Sequence, residues 1–303
     1  MENNAMQGLI SIADLNKDKI MEILNLSKLF KDGMRKKTLD GKVIASCFFE
    51  NSTRTRLSFE SAVAHLGGST IGFADSSATS LASKGESLSD TLKIISCYAD
   101  ALIIRHPLDG AARLASEICD IPVINAGDGA NQHPTQTLLD LFSIMDSQGR
   151  LEGINLGIMG DLKFGRTVHS LVEAAKWFGM QLYFIAPKQL RMGDEELFNL
   201  KTSGIQYSFH NSLDEVVGKL DCLYLTRLQK ERFVDEVISD SYKISLNSLA
   251  NVKPNLKILH PLPRQEELPV EIDNTPYAYY FEQAQNGLYV RQALLDILLT
   301  NRE

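Results

Sequence analysis

Residues 48–62, FFENSTRTRLSFESA, decide how this chain is to be read. An apolar run over residues 43–49 (VIASCFF) stops abruptly at Glu50. A polar turn follows, with the hydroxyls of Ser52, Thr53 and Thr55 and the guanidiniums of Arg54 and Arg56. Phe59, Ala62, Val63 and Leu66 then recur at helical spacing until Gly67 and Gly68 end the pattern. The expectation is a buried strand, a short turn and a helix, with residues 52–55 at the helix N-terminus. Unpaired backbone N–H groups and the positive end of the helix dipole make such a terminus an anion site. The hydroxyls and the permanently charged, forked Arg54 add donors suited to phosphate oxygens. Capping the helix needs a single oxygen acceptor and accounts for neither arginine.

Working outward, the pattern of strand followed by helix repeats. Residues 17–30 form an amphipathic helix on Ile20, Ile23, Leu24 and Leu29, and residues 69–74 read as a second strand. Residues 75–86 (DSSATSLASKGE) are a polar loop of small residues with no packing pattern. A helix over 88–98 leads to a strand over 101–104, closed by Arg105, His106 and Pro107. Residues 111–125 add another helix and strand, and the turn-rich stretch 127–134 (GDGANQHP) closes the first domain. Beyond a helix over 135–145 the alternation resumes with a strand at 155–159, a helix at 166–178 and strands at 182–185 and 222–225. Two prolines forbid a helix through His260-Pro261-Leu262-Pro263-Arg264, and residues 288–299 form a closing amphipathic helix. The fold class is therefore α/β: two domains, each a central parallel sheet flanked by helices, with sites at strand C-termini. The expected division is 1–132 plus 288–303 for the first domain and 133–287 for the second.

Composition narrows the function. A chain of 303 residues with 44% hydrophobic and 23% charged residues suits a soluble protein of two domains or one large α/β unit. The net charge of −7 argues against a nucleic-acid partner, so any anionic ligand must be drawn by a local basic pocket. Residues 1–20 carry no signal pattern and no apolar run approaches a membrane span, which points to the cytoplasm. Cys47, Cys97, Cys119 and Cys222 are scattered through apolar stretches, as buried free thiols in a reducing compartment would be. Residues 160–167 (GDLKFGRT) match the P-loop spacing except that Arg166 stands where a lysine belongs. Phe164 and Leu162 would crowd a wrapped phosphate, and Ala186-Pro187 after the next strand supplies no acid for a ribose. A nucleotide-binding regulatory module is the remote alternative this turn leaves.

The pentad Ser52-Thr53-Arg54-Thr55-Arg56 resembles the carbamoyl-phosphate signature of the aspartate and ornithine carbamoyltransferases. Arg105-His106-Pro107, His133-Pro134-Thr135-Gln136 and His260-Pro261-Leu262-Pro263 are similar to further motifs of that family. The resemblance covers nearly the whole chain and implies a carbamoyl transfer from carbamoyl phosphate that needs no metal, organic cofactor or protein nucleophile. It assigns the phosphate to Ser52, Thr53, Arg54, Thr55 and Arg105, and the carbonyl oxygen to Thr55, Arg105 and His133. Arg54, Thr55, Arg105 and His133 are thereby the catalytic set. Gln136 and the backbone carbonyls of Leu262 and Pro263 would hold the carbamoyl NH2, with a cis bond before Pro263. Lys84, Arg166, Thr167, Arg227 and Gln229 would bind the amino acid, and Glu50 would pair with Arg166 and Arg232 when the domains close over an active site in the cleft between them. Ser80 and Lys84 lie on a loop similar to one that enters a neighbouring subunit's site, which implies a homotrimer with shared sites and leaves a regulatory subunit open. Arg227 and the HPLP run favour L-aspartate as acceptor over ornithine, whose cationic tail a guanidinium would repel. The product would be N-carbamoyl-L-aspartate, an early intermediate of pyrimidine synthesis. An ornithine or other amino-acid carbamoyltransferase is the near alternative.

Overall fold

The computed structural model describes residues 6–75, 77, 79, 83–227 and 242–300. Its chain forms two compact units, Met1–Leu139 with Gln285–Glu303, and Asp140–Ala284. Residues 133–139 therefore fall in the first unit, whereas the sequence-based division placed them in the second. Leu139 explains part of this, because its side chain packs beside Gly287 of the last helix.

In the first unit the strands are β1 (Gly8–Leu9), β2 (Val43–Phe48), β3 (Ser69–Phe73), β4 (Ala101–His106) and β5 (Val123–Asp128). They form one parallel sheet in the order β1-β5-β4-β2-β3. Helices α1 (Lys17–Lys31), α2 (Thr53–His65), α3 (Leu88–Ser96) and α4 (Ala111–Ile118) join the strands, and α5 (Pro134–Gln148) starts here. Parallel strands need crossover helices on the sheet faces, so both faces are apolar. Ala45, Cys47, Leu102 and Ile104 alternate onto one face and pack with Leu92, Ala112, Ala115 and Cys119. Burial there, reinforced by Cys119, pushes the Cys47 thiol up to about 12 and keeps it protonated. All four cysteines are free, but Cys97 is exposed rather than buried, because it caps the end of α3 beside the 65% exposed Tyr98.

The second unit repeats the plan with β6 (Asn155–Met159), β7 (Gln181–Ile185), β8 (Tyr207–His210), β9 (Cys222–Leu225) and β10 (Lys257–Leu259). All pairings are again parallel, in the order β10-β9-β6-β7-β8. Helices α6 (Arg166–Ala175) and α7 (Asp194–Thr202) lie between strands, and α8 (Tyr280–Thr300) closes the chain. The sequence reading starts α8 at residue 288 and marks neither β1, α7 nor β8. No described helix is long and apolar enough to cross a membrane.

Strand order decides where each unit can bind a ligand. In the first sheet the chain leaves β2 for β3 on one side, then returns to β4 on the other. In the second it leaves β6 for β7 and β8, then returns to β9. Connections that depart in opposite directions open a crevice at the C-terminal ends of the two adjacent strands. The chain beyond β2 and in the last turn of β4 carries Glu50, Arg54 and Arg105, and the chain beyond β6 and β9 carries Arg166 and Arg227. Arg105 lies inside β4, which runs on to His106, and not after the strand as its sequence suggested.

Asp221, just ahead of β9, ties the far end of the second sheet together. Its carboxylate accepts from Asn155 N–H at 2.9 Å, Asn155 Nδ2 at 3.0 Å and Lys253 Nζ at 2.7 Å. Burial raises its pKa, but these bonds outweigh burial and bring it down to about 2. A carboxyl with a folded-state pKa below its unfolded value stabilises the native state above the unfolded value and loses that contribution as pH falls. The contribution should therefore vanish between about pH 4 and pH 2. Asp221→Ala should cost the second unit about 1–3 kcal/mol at neutral pH by stranding half-buried donors. Its melting temperature should converge on that of the unaltered protein in acid. A constant difference across the pH range would show that Asp221 contributes through packing alone.

Candidate active site

At the first switch point, α2 begins at Thr53 behind Ser52, whose side chain makes no capping bond. The first bond of this turn runs from Arg56 N–H to Ser52 O, so the preceding N–H groups have no helical acceptor. Thr55 is buried and Arg54 exposed. Arg56 faces elsewhere: Nε donates to Glu60 Oε1 at 2.7 Å, and the same oxygen accepts from Ser46 Oγ on β2 at 3.1 Å. One arginine of the pentad thus belongs to the scaffold.

Arg105 joins Arg54. Its side chain is only 11% exposed, and Nη1 donates to Ala126 O at 3.3 Å. Nη2 lies 3.1 Å from Glu50 Oε2, an ion pair without the alignment of a hydrogen bond. Burial pulls the Arg105 pKa below its ordinary value; Glu50 opposes this and the nearby Arg54 adds to it. Burial also lowers Arg54. Two partly desolvated cations that sense each other favour an anion near both. Glu50 sits against Arg105 within this unit.

The buried Asp128 steadies the segment that leads to His133. Its carboxylate accepts from Asn125 Nδ2 at 2.9 Å, Gly110 N–H at 2.9 Å, Gln132 N–H at 3.2 Å and Asn131 Nδ2 at 3.2 Å. Gly129, at φ +50°, passes so close to Asp109 that a Cβ would collide with its carboxylate. His133 then precedes Pro134 at the first position of α5, where proline's missing N–H costs nothing. Its carbonyl accepts from Gln136 N–H at 3.0 Å, and both side chains are largely buried. Lys84 is exposed, and it and Ser83 are helical.

At the second switch point, residues 160–165 wrap tightly. Asp161 Oδ1 accepts from the N–H groups of Lys163 and Phe164, and Asp161 N–H donates to Thr226 Oγ1 at 2.9 Å. Gly160 has φ +123°, and a Cβ there would lie 2.5 Å from Thr226 O. Only glycine lets these two loops meet. Arg166 starts α6, Arg227 follows Thr226, and both are half-buried. Thr167, half-buried, follows Arg166 in α6. Leu262 has φ +52° and a cis bond to Pro263, the isomer expected from the sequence. Ser80, Gln229 and Arg232 lie outside the described residues.

Buried partners of these loops escaped sequence reading. Tyr224 OH donates to Asp140 at 2.9 Å and Gln283 Nε2 to the same carboxylate at 2.6 Å, across 84 and 143 residues of chain. No local spacing announces such bonds.

Two family models match this chain: the aspartate/ornithine carbamoyltransferase carbamoyl-phosphate-binding domain over residues 7–146, and the aspartate/ornithine-binding domain over residues 152–298. The chain belongs to the aspartate/ornithine carbamoyltransferase family. It is 54% identical over 299 residues to aspartate carbamoyltransferase catalytic subunit 2 of Shewanella halifaxensis, covering 97% of this chain and 96% of the relative. The catalytic subunit of M. jannaschii aspartate transcarbamoylase superposes with a TM-score of 0.91 at 46% identity, over 98% of this chain and 99% of that one. The Trypanosoma cruzi aspartate transcarbamoylase, solved in complex with carbamoyl phosphate and aspartate, superposes with a TM-score of 0.87 at 34% identity, over 96% of each chain.

The arginines of the pentad should separate in a binding measurement. Calorimetric titration with inorganic phosphate should show Arg54→Ala weakened about tenfold or more, the worth of a charge-assisted hydrogen bond. Arg56→Ala should bind phosphate as the unaltered protein does. Equal weakening would mean that Arg56 also reaches the anion.

Proposed function

We propose that this chain transfers the carbamoyl group of carbamoyl phosphate to the amine of L-aspartate, giving N-carbamoyl-L-aspartate and phosphate. The observation that carries the reading is the placement of two arginine pairs, Arg54 with Arg105 and Arg166 with Arg227, at the two switch points. One pair suits a phosphate and the other the two carboxylates of aspartate. The relatives named above support the same acceptor.

In this reading Ser52, Thr53, Arg54, Thr55 and Arg105 hold the phosphate, with Lys84 and Ser80 from a neighbouring chain. The aspartate amine attacks the carbonyl carbon, a C–N bond forms, and the C–O bond breaks as phosphate leaves with the electron pair and takes up the proton that the amine gives up. Thr55, Arg105 and His133 donate to the carbonyl oxygen as it gains charge. Gln136 and the carbonyl groups of Leu262 and Pro263 hold the NH2. Arg166, Thr167, Arg227 and Gln229 orient aspartate, so catalysis is orientation and charge stabilisation. Glu50 is released from Arg105 by the incoming phosphate and turns to Arg166 and Arg232.

The reading extends to a cytoplasmic homotrimer that makes a pyrimidine precursor. Lys84 is exposed on its own chain, and β3 is an edge strand with Ile71 42% exposed, which suits a neighbouring subunit.

Phosphate release, assayed with carbamoyl phosphate and either aspartate or ornithine, tests the reaction directly; release with ornithine alone would overturn it. Arg227→Ala should impair aspartate use far more than carbamoyl-phosphate binding, and equal weakening of both ligands would refute the division between the pairs. Arg54→Ala and Lys84→Ala should each be nearly inactive alone. Dissociated and reassembled in equal amounts, they should recover roughly one site in four, because each mixed trimer has one interface with both residues intact. Mixed trimers as inactive as their parents would place Lys84 outside the neighbour's site.

A further inference from the structure

We propose that His260, locked by Glu267, is a positioning residue that sets the Leu262 backbone and so aims the carbonyl groups that receive the carbamoyl NH2. The inference rests on the reaction proposed above and assigns work to two side chains that touch no substrate.

Both side chains are buried, His260 at 1% and Glu267 at 6% exposure. The imidazole roles follow from what each neighbour can do. Leu262 N–H is only a donor, so His260 Nδ1, 2.8 Å away, accepts. The proton therefore sits on Nε2, which donates to Glu267 Oε1 at 3.0 Å. That oxygen also accepts from Gln265 N–H at 2.8 Å. A carboxylate on Nε2 fixes the tautomer, and the tautomer leaves Nδ1 able to hold Leu262. Burial raises the Glu267 pKa, yet the bonds from His260 and from backbone N–H groups bring it below the ordinary value, so it stays anionic.

The same histidine is anchored from its other side. His260 N–H donates to Gln283 Oε1 at 2.7 Å, and Gln283 Nε2 donates to Asp140 Oδ1 at 2.6 Å. Asp140 Oδ2 accepts from Tyr224 OH at 2.9 Å. The turn after β10 is thus tied to α5, β9 and α8 within the second unit. What it holds is a demanding conformation: Leu262 has φ +52°, a region that a branched side chain rarely enters unless its surroundings impose it. An imidazole acceptor on Leu262 N–H supplies that constraint. Carbonyl oxygens fixed in direction would select a group with two N–H donors and give nothing to a methyl group of the same size.

Substitutions can separate positioning from simple support. His260→Asn can place an amide oxygen near the position of Nδ1 and keep Leu262 held. His260→Gln reaches toward Glu267 and leaves Leu262 N–H without its acceptor. His260→Gln should lower kcat/KM for carbamoyl phosphate by about 10²-fold, the scale of loss from a small misplacement of a reacting group. His260→Asn should recover most of that loss. Inhibition by acetyl phosphate, which has a methyl group where carbamoyl phosphate has NH2, should be unchanged in both. Acetyl phosphate weakened as much as carbamoyl phosphate, or His260→Asn as impaired as His260→Gln, would overturn the proposal. Glu267→Ala frees the tautomer and should show the same selective loss; it carries the test if His260→Gln does not fold, and unaltered kinetics there would also refute it. An unsubstituted protein that releases no phosphate from carbamoyl phosphate and aspartate would instead overturn the proposed reaction.

Discussion

Each sheet is wholly parallel, and a parallel strand can be reached only by carrying the chain across a sheet face. Both faces of the inner strands are then covered, and those strands are largely apolar, as residues 43–48 and 222–225 are. Polar chemistry is driven to the strand ends. Where successive connections leave in opposite directions, the helices part and backbone N–H groups become accessible. Each unit has such a point, between β2 and β4 and between β6 and β9, and arginines stand at both. Everything else at the candidate site shapes or braces these places.

Electrostatics gives the placement its force. With a net charge of −7, the protein as a whole offers no attraction to an anion. Arg54 and Arg105 create a local exception, since burial lowers the pKa of both and Arg54 raises the cost of charging Arg105. Glu50 offsets some of that cost from 3.1 Å. A doubly charged phosphate would offset more if it met both guanidiniums and the open N–H groups of α2 together.

Bracing is done by buried carboxylates that bond to donors from distant parts of the chain. Asp128 gathers residues 110, 125, 131 and 132 ahead of His133; Asp161 folds residues 160–165 ahead of Arg166. Asp140 and Glu267 secure the turn after β10 through Gln283 and His260. A buried carboxylate short of one donor would be costly, so these groups disfavour other loop conformations. Rigid loops are what a reaction catalysed by orientation requires.

The sequence by itself determined the α/β class, the parallel sheets, and the strand-turn-helix that puts Ser52, Arg54 and Thr55 at a helix start. These follow from local periodicity and from a helix terminus whose open donors are a property of the backbone alone. It also showed that residues 260–264 could not be helical, since two prolines lie within them. Tertiary structure decided the rest. The two-residue β1 and the half-exposed β8 carry too little apolar pattern to announce themselves, and α8 begins well ahead of its amphipathic stretch. Whether Arg54 or Arg56 faced the open donors depended on Glu60 and Ser46 capturing one of them. That Asp140, Tyr224, Gln283 and His260 form one chain of hydrogen bonds depended on strand order, which brings residues from across the sequence within 3 Å of one another. Hydrogen bonds form between groups that the fold makes neighbours, and sequence spacing carries no record of that proximity.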